Sequence, residues 1–391
     1  MKQIILLFLG LALVINIEAQ DAGIQFSQTD WEQTLQMAKE QDKLIFVDAY
    51  TTWCGPCKRM AANVFPQEAV GALYNDHFIN LKIDMEKGEG ILFARAYGVQ
   101  SYPTFLYINS RGQLMHKGLG SRDADEFIAL GEAATDPDQQ MASLTSRYNA
   151  NERSPDFLRK YALTLGKVRE PNADKVAQEY LASQSNWETP ETMEFILESR
   201  PRSTKSELYQ FLAKHRKQYH EMGKKGEVDY LLSSAIKKDV MTSKNFEKAH
   251  IVDSYQKVFG EDGVRLGEEF HLDYLGYRAS DKDFTDTYMA AAVDFMDKYE
   301  GHDWASLNAI AWRFYELTDD SKMLLKAKKW AEQSIALDGN YANHDTMAAI
   351  CFKLQEKETA LKHARLAIDH ASTTGEDAKE TRALLEKINA L

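Results

Sequence analysis

Residues 44–58 read LIFVDAYTTWCGPCK, and this stretch decides the fold. Leu44 to Ala49 is an apolar run of the length of a buried strand. It leads directly into Trp53-Cys54-Gly55-Pro56-Cys57-Lys58, where a helix is expected to begin. Pro56 suits the first turn of such a helix, because the N–H it lacks would find no partner there. Cys54 is then expected at the exposed helix N-terminus, where free amide groups and the helix dipole favour a thiolate. Cys57 lies one turn further in and is expected to be shielded. Lys58 and Arg59 add positive potential beside the pair.

Outward from this stretch, β-like runs alternate with helical periodicity, the pattern of an α/β domain over residues 20–135. Thr29-Asp30-Trp31-Glu32 reads as a capping box, with Trp31, Leu35 and Ala38 on one helical face. Phe78 to Ile83 predicts a strand and Ile91 to Tyr97 a short helix. Phe105 to Ile108 predicts another strand, turned by Asn109-Ser110-Arg111-Gly112 into Leu114 to Lys117. A last helix is expected from Asp123 to Ala134, burying Phe127, Ile128 and Leu130.

A Cys-x-x-Cys pair has three physical readings. Zinc needs four ligands, and the chain has no second pair of this kind; its 10 histidines are scattered. No metal or other cofactor is therefore expected. A purely structural disulfide closing so short a loop adds little stability. The third reading, a pair cycling between dithiol and disulfide, is the one that the strand, the helix start and the neighbouring cations favour. There Cys57 resolves a mixed disulfide by attacking the sulfur of Cys54.

WCGPCK after a VDA strand resembles the thioredoxin superfamily. Asp48, six residues before Cys54, stands where that family carries its buried acid; the resemblance implies that it accepts the proton of Cys57. Ser101-Tyr102-Pro103-Thr104 is similar to the family's cis-proline loop, which implies that Pro103 positions an extended substrate peptide. Trp53, Gly55, Pro56, Tyr102 and Thr104 are by the same resemblance expected to contact substrate. The run Cys57-Lys58-Arg59-Met60, with Val64-Phe65, Val70 and Phe78, resembles the branch holding the soluble domains of bacterial thiol–disulfide interchange proteins. Two departures stand out. Tyr102 replaces the usual aliphatic residue before the proline. Asn80 occupies the place of the family's lysine near the buried acid, with Lys82 two residues on along the same strand face.

The rest of the 391 residues sets limits on function. Only three cysteines exclude a disulfide-stapled architecture, and the far one, Cys351, is expected to be a packed thiol. A net charge of −12 argues against nucleic-acid binding. Lys2, the apolar run Ile4 to Ile17 and Glu18-Ala19-Gln20 read as a signal peptide over residues 1–19, too short for a membrane span. The expectation is an exported protein without stable membrane insertion, periplasmic where the source is a Gram-negative bacterium. After a break at Asp136-Pro137-Asp138, strand signals vanish and helix starts recur at Ser154-Pro155-Asp156, at Thr189-Pro190-Glu191 and at Ser203 near Pro201. Residues 138–303 are expected to form helical hairpins, and residues 304–391 to hold repeats with a final helix. There Ala327, Ala331 and Ile335 recur 33 residues later as Ala360, Ala364 and Ile368, which resembles tetratricopeptide repeats. The whole is expected to be an exported protein-disulfide oxidoreductase acting on disulfide-containing proteins, supplied by a membrane or soluble electron donor. The alternative is a protein-binding helical scaffold whose redox domain is accessory or a sensor.

Overall fold

The computed structural model describes residues 22–391, so the expected signal peptide lies outside the described residues. These residues divide into two compact units, the first ending at Leu231 and the second comprising Leu232–Leu391.

A four-stranded mixed sheet forms the centre of the first unit, with strands β1 (Leu44–Tyr50), β2 (Phe78–Asp84), β3 (Thr104–Ile108) and β4 (Leu114–Leu119) in the order β2-β1-β3-β4. β1 is parallel to β2 and antiparallel to β3, and β3 is antiparallel to β4. Alternation along β1 sorts its side chains between two cores. Phe46 faces a cluster with Phe105, Tyr107 and Phe78, covered by α2 (Gly55–Asn63), α3 (Glu68–His77) and α5 (Ala124–Thr135). Ile45, Val47 and Ala49 face the opposite cluster with Leu81 and Leu106, covered by α1 (Trp31–Gln41) and α4 (Gly90–Ala96). Sheet and flanking helices are the α/β architecture expected.

Three details differ from the sequence reading. Asp30, not Thr29, caps α1, its carboxylate accepting the Gln33 N–H. Helix α3 carries no side-chain cap and contains Gly71, so local signals do not announce it. The glycine is required, because a Cβ there would lie 2.2 Å from the Ala22 carbonyl oxygen. On α5, Phe127 is fully buried, whereas Ile128 and Leu130 only pack against the cluster from partly buried positions.

Beyond α5 the described residues of the first unit are helical: α6 (Met141–Asn149), α7 (Pro155–Lys167), α8 (Ala173–Leu181), α9 (Pro190–Glu198), α10 (Glu207–Lys214) and α11 (Arg216–Glu221). Ser154 and Thr189 stand at the N-cap of α7 and α9 with a proline in the first turn, and the Thr189 hydroxyl accepts the Thr192 N–H. The start expected at Ser203 falls three residues later, at Ser206, because the Ser206 N–H closes a turn onto the Ser203 carbonyl. The division between the units falls within α12 (Lys225–Ser243).

The second unit continues through α13 (Lys248–Phe259), α14 (Glu261–Arg278), α15 (Lys282–Lys298), α16 (Trp304–Leu317), α17 (Ser321–Leu337), α18 (Tyr341–Lys353), α19 (Lys357–Thr374) and α20 (Lys379–Asn389). Ala327 and Ala331 on α17, and Ala360 and Ala364 on α19, all sit in one core at 0 % exposure. No helix among the described residues is long and apolar enough to cross a membrane.

Phe127 ties the first unit together. It stacks on Tyr74 at 4.5 Å and meets Phe105 at 5.0 Å and Phe46 at 5.7 Å. Phe127→Ala should lower the unfolding free energy by about 3–5 kcal/mol, read from urea denaturation; a loss within the scatter of surface substitutions would contradict this packing.

Candidate active site

The sequence of β1 places the site. The strand ends at Tyr50, the chain turns through Thr51 to Trp53, and α2 begins at Gly55 with Cys54 as its N-cap. Cys54 keeps extended dihedrals, and its sulfur accepts the backbone N–H of Cys57 at 3.1 Å. This is the capping role usually taken by a serine or aspartate oxygen. Pro56 sits in the first turn, as the sequence predicts. Cys54 and Cys57 are joined as a disulfide with Cα atoms 5.3 Å apart.

One expectation is corrected here. Cys54 is 2 % exposed, no more open than Cys57 at 3 %. Its sulfur, bonded to that of Cys57, lies over the helix end, where it accepts the Cys57 N–H. Exposure passes to the neighbours: Gly55 is exposed and Pro56 half-buried. Arg59 reaches back over Gly55, with Nη1 3.9 Å from where a glycine Cβ would stand.

Asp48 lies on the same sheet face as Phe46, the face that α2 covers. It is completely buried, and in the parallel register its partner is Lys82. The Lys82 ammonium is 3.7 Å from Oδ2, within ion-pair range but too far for a hydrogen bond. Neither carboxylate oxygen has a hydrogen-bond partner. Burial raises the Asp48 carboxyl to about 7, with Lys82 pulling in the other direction. Lys82 therefore stands beside the acid where the sequence left the matter open. Asn80 is turned to other work, donating to the Tyr74 carbonyl and to Asn75 Oδ1.

The third component enters from β3. The Tyr102–Pro103 bond is cis, and the next residue, Thr104, pairs with Ala49 near the end of β1. Pro103 and the cysteine pair thus share one end of the sheet. Pro103 is buried and its carbonyl accepts the Gly120 N–H at 3.0 Å. Thr104 is placed differently from a substrate contact: it is buried, and its hydroxyl donates to the Ser101 carbonyl, pinning the loop.

Trp53, 65 % exposed, meets the Tyr102 ring edge-on at 5.9 Å. Its indole N–H donates to Glu86 Oε2 at 2.8 Å. Sequence reasoning missed Glu86. The signal was its place two residues past β2, a strand parallel to β1 that must end on the same side as Cys54. Cys351 is wholly buried on α18 with its thiol pushed up to about 12, chiefly by burial.

The likeness to known proteins falls on the stretch of chain that builds this site. The family model described as thioredoxin-like matches residues 26–110. Thioredoxin-1 of Drosophila melanogaster is 35 % identical over 88 residues, 22 % of this chain and 76 % of the relative. Thioredoxin H4 of Arabidopsis thaliana is 34 % identical over 95 residues, covering 24 % of this chain and 75 % of the relative. A solution structure of a putative disulphide-isomerase from Bacteroides thetaiotaomicron is 45 % identical, covering 30 % of this chain and 98 % of that one, with a TM-score of 0.28.

The raised carboxyl of Asp48 has a consequence for stability. In the unfolded chain the group loses its proton near 3.8, whereas in the folded chain it keeps it to about 7. Between these values the native state binds more protons, so stability falls as pH rises across the window. Asp48→Asn removes that loss. In the disulfide form the variant should be the more stable protein above about pH 8, by up to about 4 kcal/mol, and match the parent below about pH 4. Urea unfolding at both pH values checks the sign; a variant less stable at the higher pH would contradict it.

Proposed function

The chain belongs to the thioredoxin family, and from that premise we propose that it is an exported thiol–disulfide oxidoreductase. In this reading it reduces or exchanges disulfides in protein substrates. The observation that carries the reading is the placement of Cys54 as the cap of α2, with the buried acid Asp48 beneath the same helix. An N-cap sulfur facing a free amide is stabilised as an anion once the disulfide opens.

The dithiol form acts in two exchanges. Cys54 thiolate attacks one sulfur of the substrate disulfide, forming a mixed disulfide and releasing the other sulfur as a thiolate. Cys57 then attacks Cys54, reforming the pair and releasing the second substrate thiol. Two electrons pass to the substrate, and its two thiolates take up two protons. Cys57 must lose its proton before it attacks, and Asp48, with its carboxyl near 7, is suited to receive it. The exposed Trp53 and Gly55, with the half-buried Pro56 and Tyr102, offer the surface on which the substrate strand lies, and the buried Pro103 shapes the loop beneath it. A two-electron donor, soluble or in the membrane, returns the pair to the dithiol.

The Gly-Pro dipeptide between the cysteines is that of reducing thioredoxins, which favours reduction. The direction in the cell is set by the potential of the pair against its compartment. For α16–α19 we infer tetratricopeptide-like pairs that dock a protein partner, supported by the 33-residue recurrence of buried alanines.

Substrate trapping tests the assignment. Cys57→Ala keeps the attacking thiol and removes the resolving one, so mixed disulfides should accumulate on non-reducing gels and vanish when Cys54→Ala is added. Adducts that persist through Cys351 would overturn it.

A further inference from the structure

A cleft of about 1070 Å³ opens in the first unit between α5 and α7, outside the residues assigned above. Ala129, Leu130 and Ala133 line it from α5, and Leu163 faces them from α7. The cavity exceeds the roughly 300–1,000 Å³ of small-molecule sites and suits a length of polypeptide.

Its charge is uneven. Arg159, Lys160 and Lys167 line one side from α7, and Arg200 joins them after α9. Lys160, Lys167 and Arg200 form no ion pair among the described residues. Arg159 has only Glu198 at 3.9 Å, and its Nε is buried without a hydrogen-bond partner. Of the acids that line the cleft, only Asp138 is in an ion pair, with Arg147; Asp136 keeps its charge, accepting a hydrogen bond from the neutral Gln139 amide and facing Lys160. Glu126, Asp136 and Asp156 thus carry charges outside any ion pair among the described residues, against Arg122, Lys160, Lys167 and Arg200. Free cations thus outnumber free acids in a chain of net charge −12.

The cleft also adjoins the redox end of the sheet. Leu119, Ser121 and Arg122 line it, and Gly120 between them donates its N–H to the Pro103 carbonyl. The Arg122 N–H meets the Met60 sulfur, one turn past Cys57 on α2, at 3.3 Å. Arg122 Nε is a second buried guanidinium nitrogen without a partner. A chain lying across Pro103 therefore lies beside Leu119, Ser121 and Arg122, which form one edge of the cleft.

We propose that this cleft holds an acidic, partly apolar segment of the substrate polypeptide, next to the disulfide being exchanged. The proposal rests on the oxidoreductase reading and adds to it the class of substrate: proteins whose exchanged cysteine is flanked by acidic sequence. The leucines and alanines of α5 and α7 take the apolar side chains, and the lysines and arginines take the carboxylates.

The test is a binding measurement that involves no redox chemistry. The full chain carrying Cys54→Ser and Cys57→Ser is titrated into a fluorescein-labelled peptide of alternating glutamate and leucine, with fluorescence anisotropy as the readout. Saturable binding that weakens with added salt is expected. Lys160→Glu with Lys167→Glu, both exposed positions, should weaken it by at least about tenfold. The milder Lys160→Gln with Lys167→Gln should fall between, with melting temperatures held to the parent's. Absence of saturable binding, or affinity unchanged in the charge reversals, overturns the proposal. So does equal affinity for a single-stranded oligodeoxynucleotide, which would make the cleft a general polyanion site. The oxidoreductase reading stands or falls separately, on turnover of a small disulfide by the parent chain.

Discussion

The register of β1 in the sheet is the constraint on which the site depends. β1 lies between β2 and β3, and the pairing that sets Asp48 opposite Lys82 also sets Ala49 opposite Thr104. The first pairing puts a buried acid beneath α2 with a cation at 3.7 Å. The second brings Pro103 to the end of the strand from which Cys54 is delivered. A slip of one residue would turn Asp48 into the opposite core, among Ile45, Val47 and Leu106. The aromatic cluster of Phe46, Tyr74, Phe105 and Phe127 holds that register by burying one face of the strand, so stability and chemistry share the same residues.

Two electrostatic devices at the site have opposite costs. Cys54 gains from its position, because a helix N-terminus supplies amide groups that no other residue claims. Asp48 costs stability above its folded-state titration, because a carboxylate at 0 % exposure has one ammonium at 3.7 Å and no hydrogen bond to offset its lost hydration. Such a group remains protonated where a free carboxyl would not, and it is on this that its proposed part in taking the Cys57 proton rests. Cys351 makes the contrast: burial, which Lys328 only partly offsets, pushes its thiol up to about 12.

What could be read from the sequence was local. The strand, the turn and the helix start around Cys54 are encoded within residues 44–60, so their order and the role of Pro56 follow from short-range rules. The same holds for the proline-led caps at Ser154 and Thr189. Lys82 as neighbour of Asp48 depends on how two strands 34 positions apart in sequence pair, which no local pattern states. Glu86 is an ordinary surface acid until the parallel strand brings it to the Trp53 indole. Helix α3 escaped because its glycine serves a close approach to Ala22 and Gly23, not a turn. The shielding of Cys54 was missed because a helix-start argument places a residue on the backbone and says nothing of what packs over its side chain.

The most direct measurement of the central claim, that the α2 N-terminus activates Cys54, is the pH dependence of its alkylation by iodoacetamide in the dithiol form. Cys351 is wholly buried with its thiol near 12 and contributes little signal across the useful range. Peptide mapping separates Cys54 from Cys57. The account predicts that Cys54 reaches half its limiting rate well below the value of about 8.5 for a free cysteine. A profile that follows free cysteine would show that the helix end does not activate this thiol, and would contradict the account.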